Sequence, residues 1–238
     1  MPENNTIEST RKTMQANQLS LSVDCVIFGY GEEGLRILLL ECSLPQYGGQ
    51  WSLLGDFVQP DEDIDSAAHR VLHRYTGLNN VYLEQVMTFG HPDRHPLGRV
   101  VTTAYYSLIK RDEYNGRKAY DGFAVKWFPV HEVPQMAFDR MVILDSCVGK
   151  MRESLREHPI GFQLLPKQFT LTQLQTLYEV VLDINLDKRN FRRKLMSLNM
   201  LVPTGDIQKD VAHRPAGLYR FDYDEYQRKL SRGFRFEI

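Results

Sequence analysis

Two short stretches of this chain hold residue types that could do chemistry. The first is GDFVQPDEDIDSAAHRVLHRYTGL, Gly55 to Leu78. In it Asp56, Asp61, Glu62, Asp63 and Asp65 lead into a helical pattern carrying Arg70 and Arg74. Carboxylates suit a hard divalent cation, which takes oxygen ligands and can activate a water for attack on a diphosphate. Residues three and four apart share one helix face, so ligands at 71, 74 and 75 would converge on one ion. Those positions read Val, Arg and Tyr. A valine offers no ligand, and Arg74 puts a cation into the metal's place. The second stretch is LDKRNFRRKLMSLNML, Leu186 to Leu201, where Lys188, Arg189, Arg192, Arg193 and Lys194 crowd one helical segment. Such a face suits phosphates and base edges.

The elements that must position these residues follow from the apolar patterning. LSLSVDCVIFGY, then GEEG, then LRILLLEC read as two strands joined in a β-hairpin. Ile64, Ala68, Val71, Leu72 and Tyr75 recur at helical spacing, with Gly77 placed to end that helix. VYLEQVMTFG, RVVTTAYYSLI and FAVKWFPV read as further strands. FDRMVILDSCVGKMRESLREH reads as a helix with Met141, Leu144, Val148, Met151 and Leu155 on one stripe. The fold class is α+β, a mixed sheet sandwiched by helices. A linker carrying two prolines, PIGFQLLPKQF, then leads to a smaller unit. We expect a flexible arm over 1–18, one domain over 19–158 and a second over 159–238.

In the second unit Leu171, Leu174, Leu177, Tyr178 and Val181 mark one helix. Asp187 caps the next, which turns Phe191, Leu195 and Leu198 inward. Its outer face carries Lys188, Arg189, Arg192, Arg193 and Ser197. Two strand-like runs follow, around the loop TGDIQKDVAHRP, where Lys209, His213 and Arg214 could reach phosphates. Two helices with a tight turn and a wing make a winged helix-turn-helix.

Charge agrees with two partners for two parts. Residues 1–160 hold 16 Lys+Arg against 21 Asp+Glu, whereas residues 161–238 hold 13 against 9. No run is long and apolar enough to span a membrane. The polar N-terminus lacks an export signal, so a cytoplasmic protein is expected. Cys25, Cys42 and Cys147 are odd in number, widely spaced and without metal-ligand spacing, which suits reduced, buried thiols.

The first stretch resembles the Nudix box: Gly, five residues, Glu, seven residues, Arg-Glu, an aliphatic, any residue, Glu-Glu, any residue, Gly, an aliphatic. Anchored on Gly77 and Leu78, Arg70 falls on the Arg, Glu62 on the first Glu and Leu72 on the aliphatic. Asp56 takes the leading glycine's place, after Gly55. The Glu after Arg and the Glu-Glu pair are replaced by Val71, Arg74 and Tyr75, so neither metal ligands nor catalytic residues are expected. Glu62 and Arg70 then serve as a loop brace. Asp56 is open to two readings, a turn former or a ligand for hydroxyl groups.

A Nudix-like domain followed by LDKRNFRRKLMSLNML resembles the Nudix-related transcriptional regulators of the NrtR type, over residues 19–230. GHPDRHPLGRVVTTAYYSLI resembles that family's central strand and the loop before it. The resemblance implies a homodimer on a palindromic DNA operator, a recognition helix to which Lys188, Arg189, Asn190, Arg192, Arg193 and Lys194 belong, and a Nudix part turned effector sensor; no cofactor is expected. It is nearest to the arabinose-responsive AraR branch, which implies a repressor of sugar catabolism genes released by L-arabinose. Asp24, Trp51, Asp56, His91 and Lys126 are the candidate effector contacts. The alternatives are an ADP-ribose-responsive regulator of NAD metabolism and a residual Nudix-type hydrolase.

Overall fold

The computed structural model describes residues 19–42, 44, 47–96, 98–114, 119–120, 122–209 and 214–238. The arm expected over 1–18 and His213 of the wing lie outside them.

The first apolar run becomes β1 (Ser20–Gly31), antiparallel to β2 (Gly34–Glu41) with Gly31 facing Gly34. Gly34 takes a φ of 85°, which side-chain-bearing residues rarely adopt, and so lets the turn close on two residues. Successive residues of a strand point to opposite faces. In β1, Val23, Cys25 and Ile27 enter one core, while Val26 and Phe28 enter another. Both sets are apolar because the sheet is covered on both sides.

The sheet runs β5 (Glu84–Phe89), β6 (Val100–Lys110), β1, β2, β8 (Phe123–Pro129), β7 (Ala119–Tyr120). Two short strands, β3 (Trp51–Ser52) and β4 (Leu54–Phe57), pair with β2 and β1. Only the β1–β6 pair is parallel among these.

Helix α1 (Ile64–Thr76) covers one face with Ala67, Ala68, Val71 and Leu72 buried. Asp63 caps its start by accepting from Ser66 N, and Gly77 ends it in the left-handed region. Helix α2 (Arg140–Glu157) covers the other face on a stripe that keeps Leu144, Met151 and Leu155 of the five residues expected. Ile143, Leu144, Cys147, Met151 and Leu155 are buried, while Met141 and Val148 only flank the core. Arg140 at the first turn is paired with Asp24 on the sheet, and the stripe in line with Arg140 turns inward with it.

A 3-10 segment, Pro159–Leu164, leads into α3 (Leu171–Leu182) and α4 (Lys188–Ser197). Thr170 and Gln173 form a reciprocal capping box on α3, and Asp187 caps α4 as expected. The hairpin β9 (Leu201–Ile207) and β10 (Gly217–Phe221) follows. Strand β9 runs through Thr204–Ile207, residues read from the sequence as wing loop. A closing helix, α5 (Tyr223–Leu230), had no counterpart in the sequence reading. It belongs to an aromatic cluster in which Phe162 stacks on Phe221 at 4.1 Å and Tyr226 lies 6.3 Å from Phe236. The winged-helix core is continuous with the α2 face of the sheet, from Phe28 and Ile37 to Tyr178 and Phe191. The three cysteines are free and buried. Among the described residues no helix is long and apolar enough to cross a membrane.

Candidate functional site

The loop before α1 is held by one guanidinium. Arg70 Nε and Nη2 donate to Glu62 at 2.9 and 2.7 Å, Nη1 donates to Asp56 Oδ2 at 3.0 Å, and Nη2 also reaches the Phe57 carbonyl at 2.9 Å. Glu62 in turn accepts from Gln59 N at 2.8 Å. The Arg70 hydrogen bond, with that of Gln59, holds the Glu62 carboxyl below its usual range. Arg74 Nη1 donates to the same Asp56 oxygen at 2.7 Å, and Val71 is fully buried in the α1 core. These residues do not fit a divalent cation. Position 71 faces away into the core, and Arg70 and Arg74 already pair with Asp56 and Glu62, the carboxylates beside this face of α1. Among the described residues no cluster of three or more His, Cys, Asp or Glu could hold a metal.

Beside this closed metal face lies a cleft of about 180 Å³. Its floor is Asp24 of β1, fully buried and ion-paired with Arg140. Asp24 Oδ1 and Arg140 Nε are buried without a hydrogen-bond partner. Burial pulls the Arg140 guanidinium down to about 10, still well above neutrality, so Arg140 enters the pair as a cation. Gly55 lies against Asp24, where any Cβ would collide with Oδ1. Ser22, Ser52 and Glu41 add polar groups, and Phe57, Tyr75, His95 and Phe138 add ring surface. Phe138 has a φ of 58°, a left-handed conformation costing about 1–3 kcal/mol for such a residue. It is held there by edge contact with Tyr47 at 4.5 Å and by His95 at 5.2 Å.

The start of α2 is pinned a second time. Asp139 does not cap its helix; its carboxylate takes Arg94 Nε at 2.7 Å and Nη2 at 2.9 Å. Arg94 also donates to Thr102, which shares a 2.6 Å hydrogen bond with Ser22. At the other end of α2, Arg152 Nε donates to the Val181 carbonyl of α3 at 3.1 Å. One helix therefore touches both the cleft and the winged helix.

Of the five effector candidates, Asp24 and Asp56 meet in the cleft. Trp51 packs edge-on to Phe128 at 4.7 Å, Lys126 is exposed over the Phe128 ring, and His91 is an exposed turn residue. None of these three lines the cleft. Sequence reading passed over Arg140, His95 and Phe138. A buried aspartate demands a cation, and that demand was the available signal for Arg140.

On α4, burial of Phe191 and Leu195 turns Arg189, Arg193 and Ser197 outward in one row. Lys188, Asn190 and Lys194 are exposed at its flanks. Arg192 is different, half-buried and donating to Thr172 of α3 at 3.1 Å. Lys209 and Arg214 are exposed beside the wing.

Residues 18–146 match the NUDIX domain family, and residues 161–221 match the NrtR DNA-binding winged helix domain. The chain is 33% identical over 210 residues to the ADPR responsive transcriptional repressor NtrR of Acinetobacter baylyi, covering 87% of this chain and 83% of that protein. It resembles the crystal structure of Shewanella oneidensis NrtR complexed with a 27mer DNA at a TM-score of 0.70 and 28% identity, over 91% of this chain and 97% of that one. The NUDIX domain of the same Shewanella protein, complexed with ADP ribose, matches at a TM-score of 0.50 and 27% identity, over 59% of this chain and 97% of that one. The chain belongs to the NrtR-type family of regulators, in which a NUDIX domain is joined to a DNA-binding winged helix.

Proposed function

We propose that this chain is a transcriptional repressor of sugar catabolism genes, cytoplasmic and homodimeric, that releases its palindromic operator when L-arabinose fills the cleft. Residues 19–158 serve as the sensor and 159–238 as the DNA-binding part. The observation that carries the reading is the cleft itself. Its volume of about 180 Å³ falls below the roughly 300–1,000 Å³ of pockets that enclose drug-sized ligands. Beneath it lies the buried Asp24–Arg140 pair, each with one polar atom lacking a hydrogen-bond partner, and Phe57, Tyr75, His95 and Phe138 supply rings around it. Hydroxyl groups and a sugar's apolar face fit that set, because buried polar atoms gain most from a ligand that satisfies them.

Hydrolysis has no support from the same residues. The α1 positions that would gather a metal carry Val71, Arg74 and Tyr75, so no water is activated there. Control passes through α2. Ligand on Arg140 and Asp24 acts on the first turn of α2, and Arg152 hands any shift to α3. In a dimer this changes the spacing of two α4 helices that must sit about 34–36 Å apart on DNA. Only a ligand that binds the DNA-free arrangement more tightly can do this.

The relatives favour a second reading, since one is described as ADPR responsive and another holds ADP ribose. Titration calorimetry with each ligand separates the two. Heat with L-arabinose and none with ADP-ribose is the expected result. Binding of ADP-ribose alone moves the regulator to NAD metabolism.

A further inference from the structure

We infer that Arg193, held in orientation by Asn190, reads a guanine in the major groove, while Arg192 reads no base and braces the helix pair. The inference rests on α4 entering the groove with its N-terminal half, the geometry of winged and simple helix-turn-helix proteins.

Two adjacent arginines on α4 have similar sequence surroundings and different structural fates. Arg193 is exposed and donates from Nη2 to Asn190 Oδ1 at 2.8 Å, one turn back. It holds the long Arg193 side chain in one orientation before DNA arrives, which lowers the ordering cost of binding. The bond uses one of the two lone pairs of Asn190 Oδ1, so the part of Asn190 is to position its neighbour. Arg193 itself has no acceptor and shows donors alone. Guanine offers two acceptors, O6 and N7, on its major-groove edge and meets that surface fully, whereas adenine would set its N6–H donor against N–H groups.

Arg192 lies one position earlier, turned toward α3. Its Nη2 donates to Thr172 Oγ1 at 3.1 Å, and its Nε is buried without a partner. Thr172 sits in the first turn of α3, so this bond fixes the angle between the two helices. A side chain so placed governs how α4 is presented and cannot reach a base edge without leaving α3.

The test uses the full-length protein and a pool of random duplexes. Selected duplexes should carry a guanine at one position in each half-site. Its replacement by adenine should weaken wild-type binding by roughly 5- to 150-fold, the factor one bidentate base contact confers. Arg193→Ala should bind the two duplexes alike. Asn190→Ala should narrow the difference without removing it. Arg192→Ala should weaken both duplexes by a common factor and leave the guanine preference in place. Thermal melts that coincide for wild type and Arg193→Ala establish that the fold is intact. A guanine preference that survives Arg193→Ala, a preference lost in Arg192→Ala, an Asn190→Ala variant identical to wild type, or selected duplexes without a guanine would each overturn the assignment. Loss of all DNA binding by the wild-type protein would instead strike the family-level reading of α4.

Discussion

Helices α1 and α4 each start on an aspartate that accepts from the backbone three residues on, Asp63 from Ser66 N at 2.7 Å and Asp187 from Asn190 N at 2.8 Å. Each buries an apolar stripe and carries arginines on the rest of its surface. On α1 those arginines are matched from within: Arg70 holds Glu62 and Asp56, and Arg74 holds Asp56. On α4, among the described residues, no carboxylate pairs with Arg189 or Arg193. A guanidinium matched inside the chain is scaffold, and one left unmatched on an exposed face awaits an outside anion. The same residue type thus braces a loop on α1 and stands, among the described residues, without a carboxylate partner on α4.

Putting an acid back on α1 is the harshest way to break this comparison. If Val71 is core and no longer a ligand position, Val71→Glu buries a lone carboxylate. The expected cost is about 3–5 kcal/mol, the range for an uncompensated buried charge, seen as a large fall in the urea midpoint. Met196→Glu, on the exposed part of α4, should leave that midpoint unchanged. A Val71→Glu protein as stable as wild type, or one that gains magnesium-dependent diphosphate hydrolysis, would show that the metal face is still available. A paired substitution sharpens the contrast at smaller amplitude. Arg70→Ala should lower the melting temperature by roughly 2–4 °C, the shift expected for a modest loss in a chain of this size, with DNA affinity kept. Arg189→Ala should do the reverse: an unchanged melt, weaker DNA binding, and a salt dependence reduced by about one counterion. If both variants melt alike and bind alike, the matched and unmatched arginines are not functionally distinct.

How much of this was legible in the sequence depends on distance along the chain. The stripe of α1, its Gly77 stop, the Asp187 cap and the Gly31–Gly34 turn are local features set by neighbours, and each stood where periodicity and turn chemistry put it. The cleft is built otherwise. Asp24 meets Arg140 across 116 positions and Arg94 meets Asp139 across 45, pairs that no window of sequence contains. The loop between β5 and β6 carries two histidines, and only its path over the sheet makes His95 a cleft wall and leaves His91 in solvent. On α2 the expected Leu144, Met151 and Leu155 are buried, while Ile143 and Cys147, in line with the tertiary ion pair at Arg140, go deeper than Met141 and Val148. Arg192 and Arg193 are adjacent and chemically equal, so only the packing of α4 on α3 tells brace from reader.

The smallest effect tests a third environment, the wall of the cleft at His95, where burial keeps charge off the ring. His95 is half-buried between Phe57 at 6.3 Å and Phe138 at 5.2 Å. Burial, and then the positive charge of Arg94, hold its pKa below the ordinary 6.5, with Asp139 pulling weakly the other way. The folded chain therefore takes up this proton less readily than the unfolded chain. Above 6.5 both forms are neutral and the group contributes no penalty. As pH falls through 6.5 the unfolded chain is protonated first, and stability declines until pH passes the lower folded value. Wild type should therefore lose more melting temperature between pH 7.5 and pH 5.5 than His95→Gln does, by about 1 °C. Equal losses would mean that His95 is solvated like His91 and that the cleft accepts a cation at its wall. A larger loss in wild type places a neutral ring beside Asp24 and Arg140 at neutral pH, the surface a neutral ligand needs.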